Sequence, residues 1–157
     1  MKTLLGTLAL GALLAISSVA IAADTPDPVV GTWKLNTAKS TSNVPMPKSE
    51  TRTYAASPGG VAVSWTRVGA DGKESNVKTT FKYDGKDYPV TGSHDFDALS
   101  AKRIDANTIE SKQKRMGKEV GTTTRTVSAD GKTLTLVSKL TTADGTAANT
   151  TMVYDRQ

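Results

Sequence analysis

The sequence predicts an all-β protein, an antiparallel up-and-down meander of about 8–10 strands closed into a barrel. Three observations carry that expectation. Glycine-bearing turn dipeptides recur between β-favouring stretches: Asp71-Gly72, Asp84-Gly85, Met116-Gly117, Asp130-Gly131 and Asp144-Gly145. Beyond the first two dozen residues no segment reads as a helix. The connections are also mostly shorter than the crossing loops of a two-sheet sandwich, the competing arrangement. A meander of this length hides its two edge strands economically by pairing them with each other.

The chain opens with Lys2, an apolar and small-residue run from Leu4 to about Ile16, and the small-residue site Ala20-Ile21-Ala22. That order is an export signal with cleavage after Ala22 or Ala23, so residues 1–22 are expected to be a leader and 23–157 the mature domain. A periplasmic or secreted destination follows. The apolar run is short and later apolar stretches are strand-length, so no membrane span is expected in the mature chain. The 157 residues include no cysteine, which excludes a lipid-modified cysteine and any disulfide framework. Removing Lys2 with the leader leaves 19 basic residues against 15 acidic ones, a mild net charge of +4. The densest basic run, Lys112, Lys114, Arg115 and Lys118, has no aromatic among it, so it reads as a solvated strand face and nucleic acid is not an expected partner.

Asp24 to Pro28 is polar with two prolines, which predicts an extended arm with order beginning at Val29. A first strand is expected over 29–35. The stretch 36–50, broken by Pro45 and Pro47, reads as the longest loop. Further strands are expected at 50–56, 61–68, 76–83, 87–91, 98–104, 107–115, 119–128, 132–141 and 147–155. Tyr83 and Tyr88 flank one turn and are expected to form a cross-strand pair. Alternation places Leu134, Leu136 and Leu140 on one face, Met152 and Tyr154 on one face, and Trp65 with Val61, Val63 and Arg67. With two Trp, two Phe and threonines on both faces of 119–128, the interior is either a modest cavity with half-polar walls or filled by side chains.

Gly31-Thr32-Trp33-Lys34-Leu35 on the first strand, the Asp-Gly hairpins and the closing Val153-Tyr154-Asp155 resemble the lipocalins and fatty-acid-binding proteins, together the calycins. The chain is also similar to the small lipocalin-like proteins that bacteria export. The resemblance implies a lipocalin-like barrel with Trp33 as the plug of one end. It also implies a small hydrophobic ligand in the cavity, with Trp65, Arg125, Met152 and Tyr154 as candidate ligand-binding residues. Tyr154 matches the tyrosine of the last-strand Arg-X-Tyr pair that holds a carboxylate in fatty-acid-binding proteins, whereas Met152 stands at the arginine position and cannot make that contact. Arg125 stands near a second inward basic position. The helical lid of that family has no counterpart in 36–50.

No catalytic residues are expected. His94 is the only histidine, and its neighbours Ser93 and Asp95 cannot form a nucleophile, base and orienter because consecutive residues do not line up as a relay. His94, Asp95 and Asp97 lack metal-ligand spacing, so neither a metal nor a cofactor is expected. The leading functional expectation is an exported, non-catalytic binding protein. The alternative is a ligand-free structural or interaction module of the cell envelope, whose protein partner the sequence does not name, and an enzyme with dispersed polar residues stands third.

Overall fold

The computed structural model describes residues 26–157. The expected leader at 1–22 lies outside the described residues. Eleven strands form one sheet: β1 (Gly31–Leu35), β2 (Thr41–Ser42), β3 (Ser49–Ser57), β4 (Gly60–Val68), β5 (Glu74–Lys82), β6 (Tyr88–Thr91), β7 (Ala98–Arg103), β8 (Thr108–Arg115), β9 (Lys118–Val127), β10 (Thr133–Thr141) and β11 (Ala147–Arg156). Each strand from β3 onward is antiparallel to the next, β1 pairs with β3, and β1 also pairs with β11. The barrel is closed. Both β1 and β2 lie against β11, with Leu35 opposite Tyr154 and Thr41 opposite Thr151. They are two parts of one strand position, so ten positions make the circuit.

The break in that first position is a 3-10 turn at Thr37–Lys39. Asn36 caps it: its Oδ1 accepts from Lys39 N at 3.1 Å while its Nδ2 donates to Asp155 at 2.7 Å. The stretch expected as one long loop is therefore divided into the turn, β2 and a shorter connection holding Pro45 and Pro47. Elsewhere the expected strand bounds hold to within a few residues. Every glycine of the turn dipeptides has a positive φ, which L side chains adopt only under strain. One corner differs: β5 ends at Lys82 and β6 begins at Tyr88, so Asp84-Gly85 lies in a five-residue connection. Tyr83 and Tyr88 do not pair across it. The Tyr83 hydroxyl donates to Asp27, while that of Tyr88 donates to Asp84 at 2.8 Å.

Alternation sets the inner face as the pleat requires. Val61, Val63 and Trp65 are buried on β4, Val77, Thr79 and Phe81 on β5, Leu134 and Leu136 on β10, and Met152 and Tyr154 on β11. One end of the barrel is sealed by Trp33, Val29, Val61, Val127 and Leu134, all essentially inaccessible. The indole of Trp33 donates to Val29 O at 2.7 Å, and the Arg156 guanidinium lies 4.1 Å from the ring centroid. Arg156 also donates to the carbonyls of Pro28, Val30 and Gly131. These bonds hold the segment before β1 across the base, so order begins earlier than the expected Val29. Trp33→Phe keeps a ring here but leaves Val29 O without its donor, and should lower unfolding stability by about 1–3 kcal/mol in urea denaturation. A loss below a few tenths of that would show the bond to be dispensable.

Candidate functional site

Above the sealed base the barrel is hollow. A cavity of about 420 Å³ runs toward the opposite end, where the connections before β3, between β6 and β7, and after β10 surround its mouth. That volume lies within the range of small-molecule pockets, roughly 300–1,000 Å³. The wall is apolar through Val63, Trp65, Val77, Phe81, Leu99, Ile109, Leu136 and Met152, and Val44, Pro45, Phe96 and Leu140 line it near the mouth. Between these sit Arg52, Arg67, Arg125, Gln113, Thr123 and Ser138.

The mouth is tied together by the segment that the sequence marks with His94. Asp95 Oδ1 accepts from Ala143 N at 3.0 Å, Asp95 O accepts from Arg115 Nη1 at 2.9 Å, and Asp97 Oδ2 accepts from Met116 N at 2.9 Å. Three connections are thus joined at one rim. Gly92 begins the segment with φ +84°, and a Cβ there would lie 1.9 Å from Asn76 O, so only glycine admits this close approach to β5. Ser93 Oγ accepts from the amides of Asp95 and Phe96 in a local turn, which is a structural use of that hydroxyl. His94 is exposed and lines the mouth. Among the described residues no group of three metal-ligating side chains is brought together, and no helix is long and apolar enough to cross a membrane.

Two charged clusters are built into the wall. The first centres on Glu50, whose side chain is fully buried. Arg52 Nε donates to Oε1 at 2.5 Å, Arg67 Nε donates to Oε2, and Tyr154 Oη donates to Oε1 at 2.7 Å. Cross-strand register makes this possible, since Glu50 stands opposite Arg67 and Arg52 opposite Trp65. Arg52 lies 4.4 Å from the Trp65 ring centroid, a cation–π contact that fixes the guanidinium. Burial pushes the Glu50 carboxyl up, but the Arg52 and Arg67 charges outweigh it and hold the group below its ordinary range. Burial also pushes the Tyr154 hydroxyl up, so it stays a donor.

The second cluster lies toward the base. Asp27 Oδ2 accepts from the Tyr83 hydroxyl, from Arg103 Nη2 at 2.8 Å and from Arg125 Nη2 at 3.3 Å, while its Oδ1 accepts from Val29 N at 2.9 Å. Arg125 Nη2 also donates to Tyr83 Oη at 2.9 Å, and Arg125 Nε and Nη1 have no hydrogen-bond partner among the described residues. Burial raises the Asp27 carboxyl, but the bonds from Tyr83 and Val29 and the Arg125 charge hold it below the usual carboxylate range. Burial raises Tyr83 to about 12. This anchor was not expected, because Asp27 falls in a proline-flanked stretch that reads as a free arm.

Of the candidate ligand-binding residues, Trp65, Arg125 and Met152 lie on the cavity wall. Tyr154 does not reach the cavity; it is fully buried with its hydroxyl committed to Glu50. Trp33 lies beneath the cavity as part of the seal. Sequence reasoning missed Glu50, Arg52 and Asp27. The signal for the first two was the Glu50-Thr51-Arg52-Thr53-Tyr54 alternation, which puts two opposite charges on the face that Tyr54 shares.

These shifts set a pH profile. Glu50 and Asp27 are held low, so their contribution to stability is complete above the ordinary carboxylate range near pH ~4 and is lost as pH falls through their folded values. Tyr83 is held high, so its contribution is complete below about pH 10 and is lost as pH rises toward about 12. Urea unfolding across pH should show a plateau from roughly pH 5 to 10 with a decline on both sides. Phenolate absorbance of the native protein should lag behind that of the denatured chain. Coincident phenolate curves would contradict the burial of Tyr83 and Tyr154.

No protein-family model matches the chain, and no curated protein is similar to it in sequence. Among solved structures, the crystal structure of zebrafish ileal bile acid-binding protein complexed with cholic acid superimposes with a TM-score of 0.49 at 11% identity, over 83% of this chain and 99% of that one.

Proposed function

We propose that the protein is an exported, non-catalytic binding protein that holds a small, mainly apolar molecule inside its barrel. The observation that carries this reading is the cavity itself: about 420 Å³ of space inside a closed barrel, with a largely apolar wall. A barrel that served only as a scaffold would gain stability by filling that volume, since empty apolar space forfeits packing contacts. Affinity would come from apolar surface removed from water, at roughly 25 cal/mol per Å² before the costs of association. The wall's polar groups would fix orientation. Export is supported by Lys2, the following apolar run and the Ala20-Ile21-Ala22 site. The non-catalytic reading is supported by the mouth, where Ser93 accepts local backbone bonds and Asp95 and Asp97 join connections rather than facing a nucleophile.

The test is native mass spectrometry of the protein purified gently from its own host, followed by denaturing extraction of whatever is released. A stoichiometric small apolar molecule is expected. Bare protein, together with unchanged Trp65 fluorescence across a panel of aliphatic and aromatic compounds, would remove the binding function and leave the scaffold reading. Sequencing the N-terminus of the same sample tests export, with Ala23 or Asp24 expected first.

A further inference from the structure

We infer that the cavity's ligand carries one oxyanionic head group, a carboxylate or phosphonate-like group on an apolar body, and that Arg52 and Arg67 bind it near the mouth. The inference rests on the binding reading above and names the ligand's chemistry. Each of the two arginines meets Glu50 through Nε alone. Among the described residues, the only other hydrogen bond of either guanidinium is the 3.3 Å contact from Arg52 Nε to Tyr154 Oη. Their terminal nitrogens therefore make no hydrogen bond to any of the described residues, and they are not among the atoms sealed from solvent. Both side chains line the cavity.

The arrangement is a built one. Glu50 is fully buried behind the pair and holds both guanidinium groups by their inner edges, and Trp65 lies against Arg52. One carboxylate faces two guanidinium groups, so the cluster retains one positive charge, shared by the largely buried Arg52 and by Arg67, which is 37% exposed. An unneutralised charge in such a place is costly unless water or an anion meets it. Guanidinium ends present parallel N–H donors that match the oxygens of a carboxylate or phosphonate. Arg125 is a poorer receptor, because its Nη2 is committed to Asp27 and Tyr83 and its other two nitrogens are sealed. Arg67 lies one residue before the end of β4, beside the connection to β5 at the mouth side. A head group held there leaves the apolar body to run inward over Leu99, Ile109, Leu136 and Met152.

Calorimetric titration of the purified protein with decanol, decanoate and decylphosphonate tests this, because the three share a tail. Charge-assisted bonds to two arginines should make at least one anion bind roughly tenfold or more tighter than the alcohol. Which anion leads separates the carboxylate from the phosphonate class. Arg67→Gln should narrow that gap, and Lys132→Gln, at an exposed position outside the cavity wall, should leave it open. Equal affinity for alcohol and anions would overturn the head-group inference while leaving the binding reading intact, whereas no binding of any probe would count against both. A gap that closes in Arg125→Gln and persists in Arg67→Gln would move the head group to the other cluster and overturn the assignment. Nitrogen NMR of the arginine side chains in the unaltered protein gives a readout free of folding effects: decanoate should shift Arg52 and Arg67, and a shift confined to Arg125 would refute the site.

Discussion

Glu50→Ala should remove about 3–5 kcal/mol of unfolding stability, the cost of breaking a buried charge cluster by deleting one partner. A domain of this size has roughly 5–15 kcal/mol in all, so the variant is expected to be partly unfolded at ordinary temperature. The physical reason is specific. Among the described residues Glu50 is the one acid paired with Arg52 and Arg67, and it also accepts the Tyr154 hydroxyl. Without it, Arg52, whose side chain is 12% exposed, shares a wall with a second guanidinium and nothing between them. Tyr154→Phe should cost far less, about 1 kcal/mol, because it deletes one neutral donor and leaves the charges paired. Replacing Glu50, Arg52 and Arg67 together by methionine should recover most of the loss, since exchanging buried ionic groups such as Glu50 and Arg52 for apolar side chains is often neutral or stabilising. Urea midpoints of the three variants decide the matter. A loss under about 1 kcal/mol in Glu50→Ala would mean that water reaches the arginines freely.

That triple replacement also separates stability from recognition. If the cluster existed only to hold the barrel together, an apolar wall would serve as well, and the triple variant would discriminate between alcohols and acids no differently from the unaltered protein. If it exists to meet an anion, the variant should stay folded and lose its preference for decanoate. The cost of burying Glu50 and Arg52 is then a cost of specificity rather than of folding.

The fold was legible because its signals are local. Asp71-Gly72, Asp130-Gly131 and Asp144-Gly145 each announce a hairpin with a glycine that takes positive φ, and Leu134-Thr135-Leu136 announces the inward face by its period of two. Closure was legible only by inference from edge strands, and the contact that proves it, Leu35 against Tyr154, joins the two ends of the domain. The site was legible in part for the same reason. Trp65 and Met152 could be placed by alternation alone, and Arg125 points inward, the face its register left open. Glu50 escaped notice because it sits where a proline-broken loop turns into a strand, and its role depends on the opposing Arg67. No local pattern reports which residue lies across a ladder. Tyr154 was read as a ligand contact from resemblance, yet Glu50 claims its hydroxyl.

Asp27→Ala should have the second large effect, again of about 3–5 kcal/mol, because Arg125 is 7% exposed and Asp27 is its only carboxylate partner among the described residues. Arg103 is 38% exposed and can turn to water, so the penalty falls on Arg125, which already has two nitrogens without partners. The consequence reaches beyond charge. Asp27 also caps the amide of Val29, and Val29 supplies the carbonyl that the Trp33 indole donates to, so the carboxylate, the arm and the plug form one chain of contacts under the barrel. Loss of the first link should loosen the others. Hydrogen exchange of the Val29 and Val30 amides is expected to rise well above that of the β10–β11 ladder in Asp27→Ala, and limited proteolysis should cut the arm first. Asp27→Asn should fall between, keeping a hydrogen-bond acceptor while leaving the two arginines without a counter-charge. If both variants unfold at the unaltered midpoint, the arm is a passenger and the base is sealed by Trp33 and Arg156 alone. If they unfold early with exchange confined to the arm, the residues just before the first strand complete the cavity's floor, and removing them should release a bound ligand from below.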